Sequence, residues 1–142
     1  MSGRICVVTP CLNAGDYLRD CLESVRGQGD IVQRHIVIDG GSTDGSLGLL
    51  KEFSRQYSSL EWVSERDTGQ SDALQKGLAR VDTAHFGWLN ADDVYLPGGL
   101  RRLLASAQKG GSDEPGIVYG DYLILDAESR ESCGATTPSA FV

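Results

Sequence analysis

The sequence predicts an α/β fold with an open, mainly parallel sheet and helices on both faces. Short apolar segments alternate with segments of helical period along most of the chain. The first of these apolar segments is apolar enough for a strand that is covered on both faces of a parallel sheet. Strands that alternate with helices favour right-handed crossovers and therefore a parallel sheet.

The first strand is predicted over Arg4–Thr9, where Pro10 ends it. Asp16 can cap the helix that follows, and Gly27 and Gly29 end that helix. The apolar positions of this helix follow the helical period: Leu18, Cys21, Leu22 and Val25.

The second strand is predicted over His35–Ile38 and closes at Asp39, before the glycine-containing loop 40–45. Ser46–Tyr57 then has the period of a second helix, and Leu60–Ser64 is predicted as a weaker third strand. A polar loop, residues 65–69, leads into a third helix. Its apolar positions are Ala73, Leu74, Leu78 and Val81.

Phe86–Asn90 is predicted as a buried strand that stops just before two adjacent carboxylates, Asp92 and Asp93. A fourth helix follows, with the apolar stripe Leu100, Leu103, Leu104 and Ala107. Residues 117–125 are predicted as a further strand pair or one bent strand. We expect no regular pattern after Asp126.

The length of 142 residues is usual for one domain, so we expect a single domain over residues 1–142. The net charge of -7 argues against nucleic acid or an anionic membrane as the main partner, because both favour clustered Lys and Arg. No early apolar stretch approaches the length of a bilayer span, which favours a cytoplasmic protein. Membrane association would then come through a membrane-bound acceptor or through segments outside this chain.

The four cysteines, Cys6, Cys11, Cys21 and Cys133, have no CxxC spacing. The absence of that spacing favours small buried thiols over zinc ligands or disulfides.

Loops that follow parallel strands meet at one edge of the sheet, where open α/β folds bind ligands. Asp92 and Asp93 lie at that edge, where one carboxylate can hold a cation while its neighbour points elsewhere. The pair therefore indicates a metal-assisted site for a phosphorylated ligand. The alternative interpretation is that both residues only cap the next helix.

Two common nucleotide-binding motifs are absent from the sequence. The turn after the first strand begins Thr9-Pro10-Cys11 and contains no GxGxxG, so it does not suit a dinucleotide. No GxxxxGK[ST] motif of a P-loop occurs anywhere in the chain.

Four segments together resemble the family 2 glycosyltransferases, which have the GT-A fold, a Rossmann-like nucleotide-sugar-binding architecture. They match in order and spacing and cover nearly the whole chain: residues 8–13 (VTPCLN), 38–45 (IDGGSTDG), 64–73 (SERDTGQSDA) and 88–93 (WLNADD). The resemblance implies an enzyme of polysaccharide biosynthesis that transfers a sugar, with inversion, from a nucleotide-diphosphate sugar to a glycan or lipid-linked acceptor.

The resemblance also implies roles for individual residues. Thr9 and Pro10 would line the nucleotide pocket, Asp39 would bind the base, and Asp67 would lie near the base or ribose. Two further carboxylates complete the expected set: Asp92 near the ribose and diphosphate, and Asp93 as the ligand of Mn²⁺ or Mg²⁺. Hard oxygen ligands suit such a metal, which would offset the diphosphate charge in an acidic protein.

The chain departs from the family pattern at several of these positions. Asn90 stands where many members have the first Asp of a DxD motif, and Gly40 where many have a second Asp. Leu74-Gln75 replaces a frequent Arg-Asn pair, which leaves Arg66 and Lys76 as the nearby cations.

Family members usually continue into an acceptor-binding half that supplies the catalytic base. This chain is therefore expected to be the donor-binding part of a longer enzyme, one that binds a nucleotide sugar but transfers it poorly. Asp121 is the one late carboxylate at a predicted strand end and is the candidate base. Two alternatives stay open at this point: a non-catalytic nucleotide-sugar-binding module, and an α/β domain whose Asp pair is structural.

Overall fold

The computed structural model describes residues 3–109, 115–120, 122–125 and 132–135. The chain divides into two compact units, Met1–Leu100 and Arg101–Val142, which are described separately below. The expectation of a single domain over residues 1–142 stays a prediction.

The first unit is built on a four-stranded parallel sheet. Its strands are β1 (Ile5–Cys11), β2 (Val32–Asp39), β3 (Leu60–Ser64) and β4 (His85–Trp88). They lie in the order β3-β2-β1-β4, with every neighbouring pair parallel. The predicted open parallel sheet is confirmed, and its order places β1 and β2 in the centre.

Four α-helices accompany the strands in the described part of the chain. They are α1 (Tyr17–Arg26), α2 (Ser46–Ser54), α3 (Gln70–Leu78) and α4 (Gly99–Lys109), and a 3₁₀ turn covers Gly29–Ile31. The four positions predicted for the buried face of α1 are all buried. No helix in the described ranges has the length and apolar character needed to cross a bilayer.

The two faces of the sheet are covered by different helices. Val37 of β2 packs with Leu18 and Leu22 of α1 and with Leu50 and Phe53 of α2. The neighbouring residues of β2 face the other way, because side chains alternate along a strand. There they pack in the cluster Cys6, Ile36, Ile38 and Ala73, of which Ala73 belongs to α3. Helices therefore cover both faces, as predicted.

Helix α3 lies unusually close to the sheet at Gly77. A Cβ atom at this position would overlap Cγ1 of Val8 and would lie 3.4 Å from Cγ1 of Ile38. The absence of a side chain at Gly77 is therefore what allows α3 to pack directly on β1 and β2.

Pro10 does not end β1, which continues to Cys11 and pairs Pro10 with Ile38. The carbonyl oxygen of Val8 accepts a hydrogen bond from Leu89 N at 3.1 Å, so Val8 directs its backbone groups toward β4. The backbone groups of Pro10, two residues later, also face the side of β4, but they lie beyond Trp88, the last β4 residue that pairs with β1. No donor is needed there, and the strand tolerates the proline.

The strand predicted over Phe86–Asn90 is shorter and less buried than expected. β4 ends at Trp88, and the side chains of Phe86 and Trp88 are 51% and 52% exposed. Phe86 and Trp88 lie on the same face of β4, because side chains alternate along a strand, and the described residues cover this face only partly.

In the second unit, β5 (Tyr122–Leu125) pairs antiparallel with β6 (Ser132–Ala135). Residues 117–120 lie in no strand, so the predicted strand over residues 117–121 is wrong for the part that is described. The expectation of no pattern after Asp126 is also wrong, because it missed β6. The sequence of β6, Ser-Cys-Gly-Ala, has no apolar alternation, and its pairing with β5 makes it a strand.

Three of the cysteines are free and buried: Cys6, Cys11 and Cys21. Burial raises the pKa of Cys11 to about 11 and that of Cys21 to about 12. Protonated, buried thiols are poor metal ligands and nucleophiles, so the prediction of packed thiols is confirmed for these three residues. The side chain of Cys133 lies outside the described set.

Candidate functional site

The loops after β1 and β2 are joined by hydrogen bonds between their side chains and backbones. Asn13 N donates to Ser42 Oγ at 2.8 Å, and Thr43 N donates to Asn13 Oδ1 at 2.8 Å. Gly15 N donates to Asp44 Oδ2 at 3.0 Å. Asn13 has a φ of 49°, a left-handed conformation that Asn tolerates better than most residues. These bonds make a single surface of the two loops.

Asp39, at the end of β2, organises the loop that follows it. Its side chain is fully buried, and Oδ2 accepts hydrogen bonds from Gly41 N at 3.0 Å, Ser42 N at 2.9 Å and Ser64 Oγ at 2.7 Å. Oδ1 accepts a short hydrogen bond from Ser42 Oγ. Burial by itself raises the pKa of this carboxyl, but hydrogen bonds from Ser42, Ser64 and Gly41 outweigh it and hold the pKa below its ordinary value.

These contacts qualify the predicted role of Asp39. The carboxylate is ionised and has about four acceptor sites, which are already occupied by three donors of its own loop and by Ser64 at the end of β3. A base could be recognised by Asp39 only if part of this network is exchanged, so its role in base recognition stays a prediction.

Thr9 and Pro10, the residues predicted to line the pocket, are both buried in β1. Thr9 Oγ1 lies 2.9 Å from Nε2 of His35, a histidine on β2 that is itself fully buried. The hydroxyl of Thr9 is therefore occupied inside the fold. The predicted role of Thr9 and Pro10 stays untested.

Asp67 lies over the end of β2, against Gly40. A Cβ atom at Gly40 would lie 2.5 Å from Asp67 Oδ2, so the carboxylate fills the space that a side chain at position 40 would take. Asp67 Oδ1 accepts a hydrogen bond from Gly69 N at 3.0 Å. Oδ2 has no hydrogen bond to another described residue, and the residue is partly exposed. Asp67 thus presents a free carboxylate oxygen at the strand ends.

Asp92 and Asp93 follow β4, and both are exposed. Asp93 N donates to the carbonyl oxygen of Asn90 at 3.1 Å, which closes a turn. Asn90 Nδ2 donates to Asp93 Oδ2 at 3.2 Å, while Asn90 Oδ1 accepts from Gln70 Nε2 at 2.6 Å. Because Gln70 begins α3, this contact connects the loop of Asp67 with the loop of Asp93.

The carboxylates outnumber the cations around these loops. Lys76 is already engaged by Glu65 at 3.3 Å and Asp72 at 3.4 Å. Arg66 is exposed and has no ion pair with another described residue, and a Cβ atom at Gly41 would lie 3.5 Å from its Cγ. Of the two cations named from the sequence, Arg66 is therefore the one available to an anionic ligand.

The structure places six of the predicted residues at one rim of the sheet. They are Thr9, Pro10, Asp39, Asp67, Asp92 and Asp93. Asp121, the candidate base, lies outside the described residues. Sequence reasoning missed Ser42, Ser64 and Gln70 as parts of the network. All three lie inside or next to the four motif segments, but only the folded contacts assign them partners.

The fold and the rim define a class: an open parallel α/β domain with acidic loops at the carboxyl ends of its strands. The profile of "Glycosyl transferase family 2" matches residues 6–122 of this chain. The chain therefore belongs to glycosyltransferase family 2, and the resemblance found in the sequence is confirmed.

Known proteins support this assignment. The chain is 30% identical over 101 residues to the putative teichuronic acid biosynthesis glycosyltransferase TuaG of Bacillus subtilis, a match covering 70% of this chain and 40% of TuaG. It superimposes on S. aureus TarS 1-349 in complex with UDP-GlcNAc with a TM-score of 0.68 and 20% identity, covering 78% of this chain and 32% of TarS.

A third match is the mannosyltransferase PcManGT of Pyrobaculum calidifontis, in complex with GDP-Man and Mn²⁺. Its TM-score is 0.64 at 24% identity, covering 75% of this chain and 32% of PcManGT. These structural similarities establish the GT-A type of fold. The chain spans less than half the length of each of these three proteins.

Proposed function

We propose that this chain is the donor-binding part of an inverting glycosyltransferase that uses a nucleotide-diphosphate sugar and a glycan or lipid-linked acceptor. The observation that carries the proposal is the joined rim of strand-end loops, on which Asp67 and Asp93 present free carboxylate oxygens, in a chain of family 2. TarS binds UDP-GlcNAc and PcManGT binds GDP-Man, which supports this class of donor.

The donor atoms at the rim fit a divalent cation that arrives with the diphosphate. The described residues contain no group of three His, Cys, Asp or Glu side chains arranged to hold a metal. Mg²⁺ and Mn²⁺ commonly use one or two carboxylates and complete their shell with phosphate oxygens and water. Asp93, with Asp92 beside it, supplies that partial set, and PcManGT is a relative in fold that contains Mn²⁺.

When bound, such an ion would offset the diphosphate charge and stabilise it as a leaving group. The residues of the chain would do the rest of the donor binding. Asp67 would accept hydrogen bonds from the base or ribose, Asp92 would lie near the ribose and diphosphate, and Arg66 would be available to an anionic group. Asp39, Thr9 and Pro10 would shape the pocket floor from inside the sheet.

Transfer itself needs a base that takes the proton from the acceptor hydroxyl while the bond between the anomeric carbon and the diphosphate breaks. General-base assistance is worth about 10² to 10⁴ in rate. Asp121 is the candidate for this role in the sequence. We propose that the acceptor surface lies largely in the further length that the relatives possess, and that this chain alone transfers sugar slowly.

Isothermal titration calorimetry with UDP and GDP, each with and without Mn²⁺, tests the donor-binding proposal. We expect one of the two nucleotides to bind, and to bind more tightly with Mn²⁺. Asp93→Asn should abolish the Mn²⁺-dependent gain and leave the metal-free affinity unchanged. Asp20→Asn, which alters an exposed carboxylate on α1, is the matched control.

Binding of neither nucleotide, with or without Mn²⁺, would contradict the donor-binding proposal. An Mn²⁺ gain that survives in Asp93→Asn would contradict only the assignment of the metal ligand. A radiolabelled donor that is bound but never transferred or hydrolysed, even in a version of the protein with the length of its relatives, would instead indicate a non-catalytic binding module.

A further inference from the structure

The side-chain amide of Asn90 has its orientation set by its neighbours. Oδ1 lies 2.6 Å from Nε2 of Gln70 and 2.9 Å from Nε1 of Trp88. An indole N–H can only donate, so the atom that faces Trp88 must be the amide oxygen. The amide nitrogen of Asn90 therefore faces Asp93, where Nδ2 donates to Oδ2 at 3.2 Å.

The backbone of Asn90 holds Asp93 as well. Its carbonyl oxygen accepts a hydrogen bond from Asp93 N at 3.1 Å and a weaker one from Cys21 Sγ at 3.5 Å. The thiol of Cys21 is buried in α1, so this carbonyl is fixed against the body of the first unit. Asp93 is thus bound to one residue through both its main chain and its side chain.

These contacts exclude Asn90 as a ligand of the cation. Its single side-chain acceptor already receives two N–H donors, and the group that faces Asp93 is an NH₂, whose partial positive charge disfavours a nearby cation. An exposed aspartate without partners would sample several rotamers. The bond from Asn90 restricts Asp93 and engages one lone pair of Oδ2. Oδ1 has no hydrogen bond to any described residue.

We propose that Asn90 is a positioning residue that orients the Asp93 carboxylate toward the cation, and that Gln70 and Trp88 in turn hold the Asn90 amide. This inference rests on the proposed function, in which Asp93 binds the divalent ion of the donor diphosphate. Partners that orient a metal ligand typically contribute about 10-fold to 100-fold in metal affinity.

The test separates the metal-dependent from the metal-independent part of nucleotide binding. The probe is whichever of UDP and GDP the wild-type chain binds more tightly, titrated with and without Mn²⁺ by calorimetry. We expect Asn90→Ala to lower the Mn²⁺-dependent gain in affinity about tenfold. The metal-free affinity should stay within about twofold, because Asn90 itself contacts no part of the nucleotide in this proposal.

Gln70→Ala provides a second variant, because Gln70 is exposed at the start of α3 and its loss leaves the turn of Asn90 intact. We expect it to lower the Mn²⁺-dependent gain about threefold, which is less than the effect of a residue that contacts the metal ligand itself, because Gln70 acts only through Asn90. Gln75→Ala removes an exposed amide from the same helix and should change neither affinity.

An independent readout uses the two tryptophans, Trp62 and Trp88. Paramagnetic Mn²⁺ bound at Asp93 in the presence of the nucleotide should broaden the indole N–H resonance of Trp88 more than that of Trp62, which lies on β3. The selective broadening of Trp88 should weaken in Asn90→Ala at the same concentrations of Mn²⁺ and nucleotide.

Suppose that the wild-type chain shows an Mn²⁺-dependent gain in affinity and that Asn90→Ala and Gln70→Ala both keep it in full. This result would overturn the positioning role of Asn90 but not the proposed function. Equal losses with and without Mn²⁺ would also overturn it, because they would indicate a general structural role. A wild-type chain that binds nucleotide without any Mn²⁺ gain would overturn the inference together with the metal part of the proposed function.

Discussion

Gly40 and Asp67 occupy complementary space at the end of β2. The Asp67 carboxylate lies where the side chain of any other residue at position 40 would begin, 2.5 Å from the Cβ position. The family position that often carries an Asp is thus empty of a side chain, and a carboxylate from the loop after β3 lies there instead.

Gly40→Ala should therefore displace Asp67 and weaken nucleotide binding while the fold stays intact, because the end of an Asp side chain can move aside. Losing a hydrogen bond to a charged group costs about 1.5 to 3 kcal/mol, or about tenfold to a hundredfold in affinity. Calorimetry should give similar losses for Gly40→Ala, Asp67→Ala and the double variant. Gly45→Ala is the control, since a Cβ atom there meets nothing within 4 Å. Additive losses in the double variant would show that the two residues act separately.

Asp39→Ala should destabilise the first unit, because it leaves the donors of Gly41, Ser42 and Ser64 without their acceptor. An unsatisfied buried donor costs about 1 to 3 kcal/mol. Urea unfolding measures this loss against Asp20→Ala, which alters an exposed carboxylate on α1. If Asp39 also recognises the base, the variant should weaken binding of the nucleotide far more than binding of a sugar 1-phosphate. Equal weakening of both ligands would contradict the base-binding role.

His35 should make the first unit less stable in acid. Complete burial lowers the pKa of His35 to about 3, and Nδ1 has no hydrogen-bond partner among the described residues. In the unfolded chain the pKa is the ordinary 6.5, so below that pH the unfolded state binds more protons than the folded state. The stabilisation from neutral His35 is complete above pH 6.5 and is lost as the pH falls toward 3.

Between pH 7 and pH 5 this effect amounts to about 2 kcal/mol. Urea unfolding at the two pH values should therefore show a smaller loss of stability in His35→Gln than in the wild type. His85→Gln, which changes the other histidine, provides the comparison. A loss in His35→Gln as large as that of the wild type would contradict the assignment.

Two glycine substitutions in helices should have opposite effects on stability. Gly77→Ala places a methyl group against Val8 in the sheet, and overpacking of this kind costs about 1 to 3 kcal/mol. Gly48 is exposed and lies away from the ends of α2, and a Cβ atom there meets no atom within 4 Å. Gly48→Ala should therefore stabilise the folded protein by about 0.5 to 1 kcal/mol. Chemical unfolding measures both. A Gly77→Ala variant as stable as Gly48→Ala would show that α3 can move away from β1.

Residue patterns alone were sufficient for the architecture of the first unit. The short apolar runs and the helical period of Leu18, Cys21, Leu22 and Val25 gave the parallel sheet and its covering helices, because burial of apolar side chains requires those periods. The four motif segments also placed the site at the strand ends, since loops after parallel strands share one edge of the sheet.

Pairing and exposure depended on contacts between distant residues. The apolar run of β4 gave no sign that Phe86 and Trp88 would be half exposed, because their exposure depends on what packs over that face of the sheet. Likewise, β6 has no periodic signal of its own, and its strand conformation comes from pairing with β5.

The sequence was enough to name candidate site residues, but it did not show their burial or their hydrogen-bond partners. Asp39 and Asp67 are both strand-end or loop aspartates in quoted motifs, yet one is buried with four donors and the other has a free oxygen. Asn90 was visible only as a departure from a pattern. Tertiary structure placed Gln70 and Trp88 against its oxygen and turned its nitrogen toward Asp93, because a planar amide can satisfy two donors and one acceptor in only one orientation.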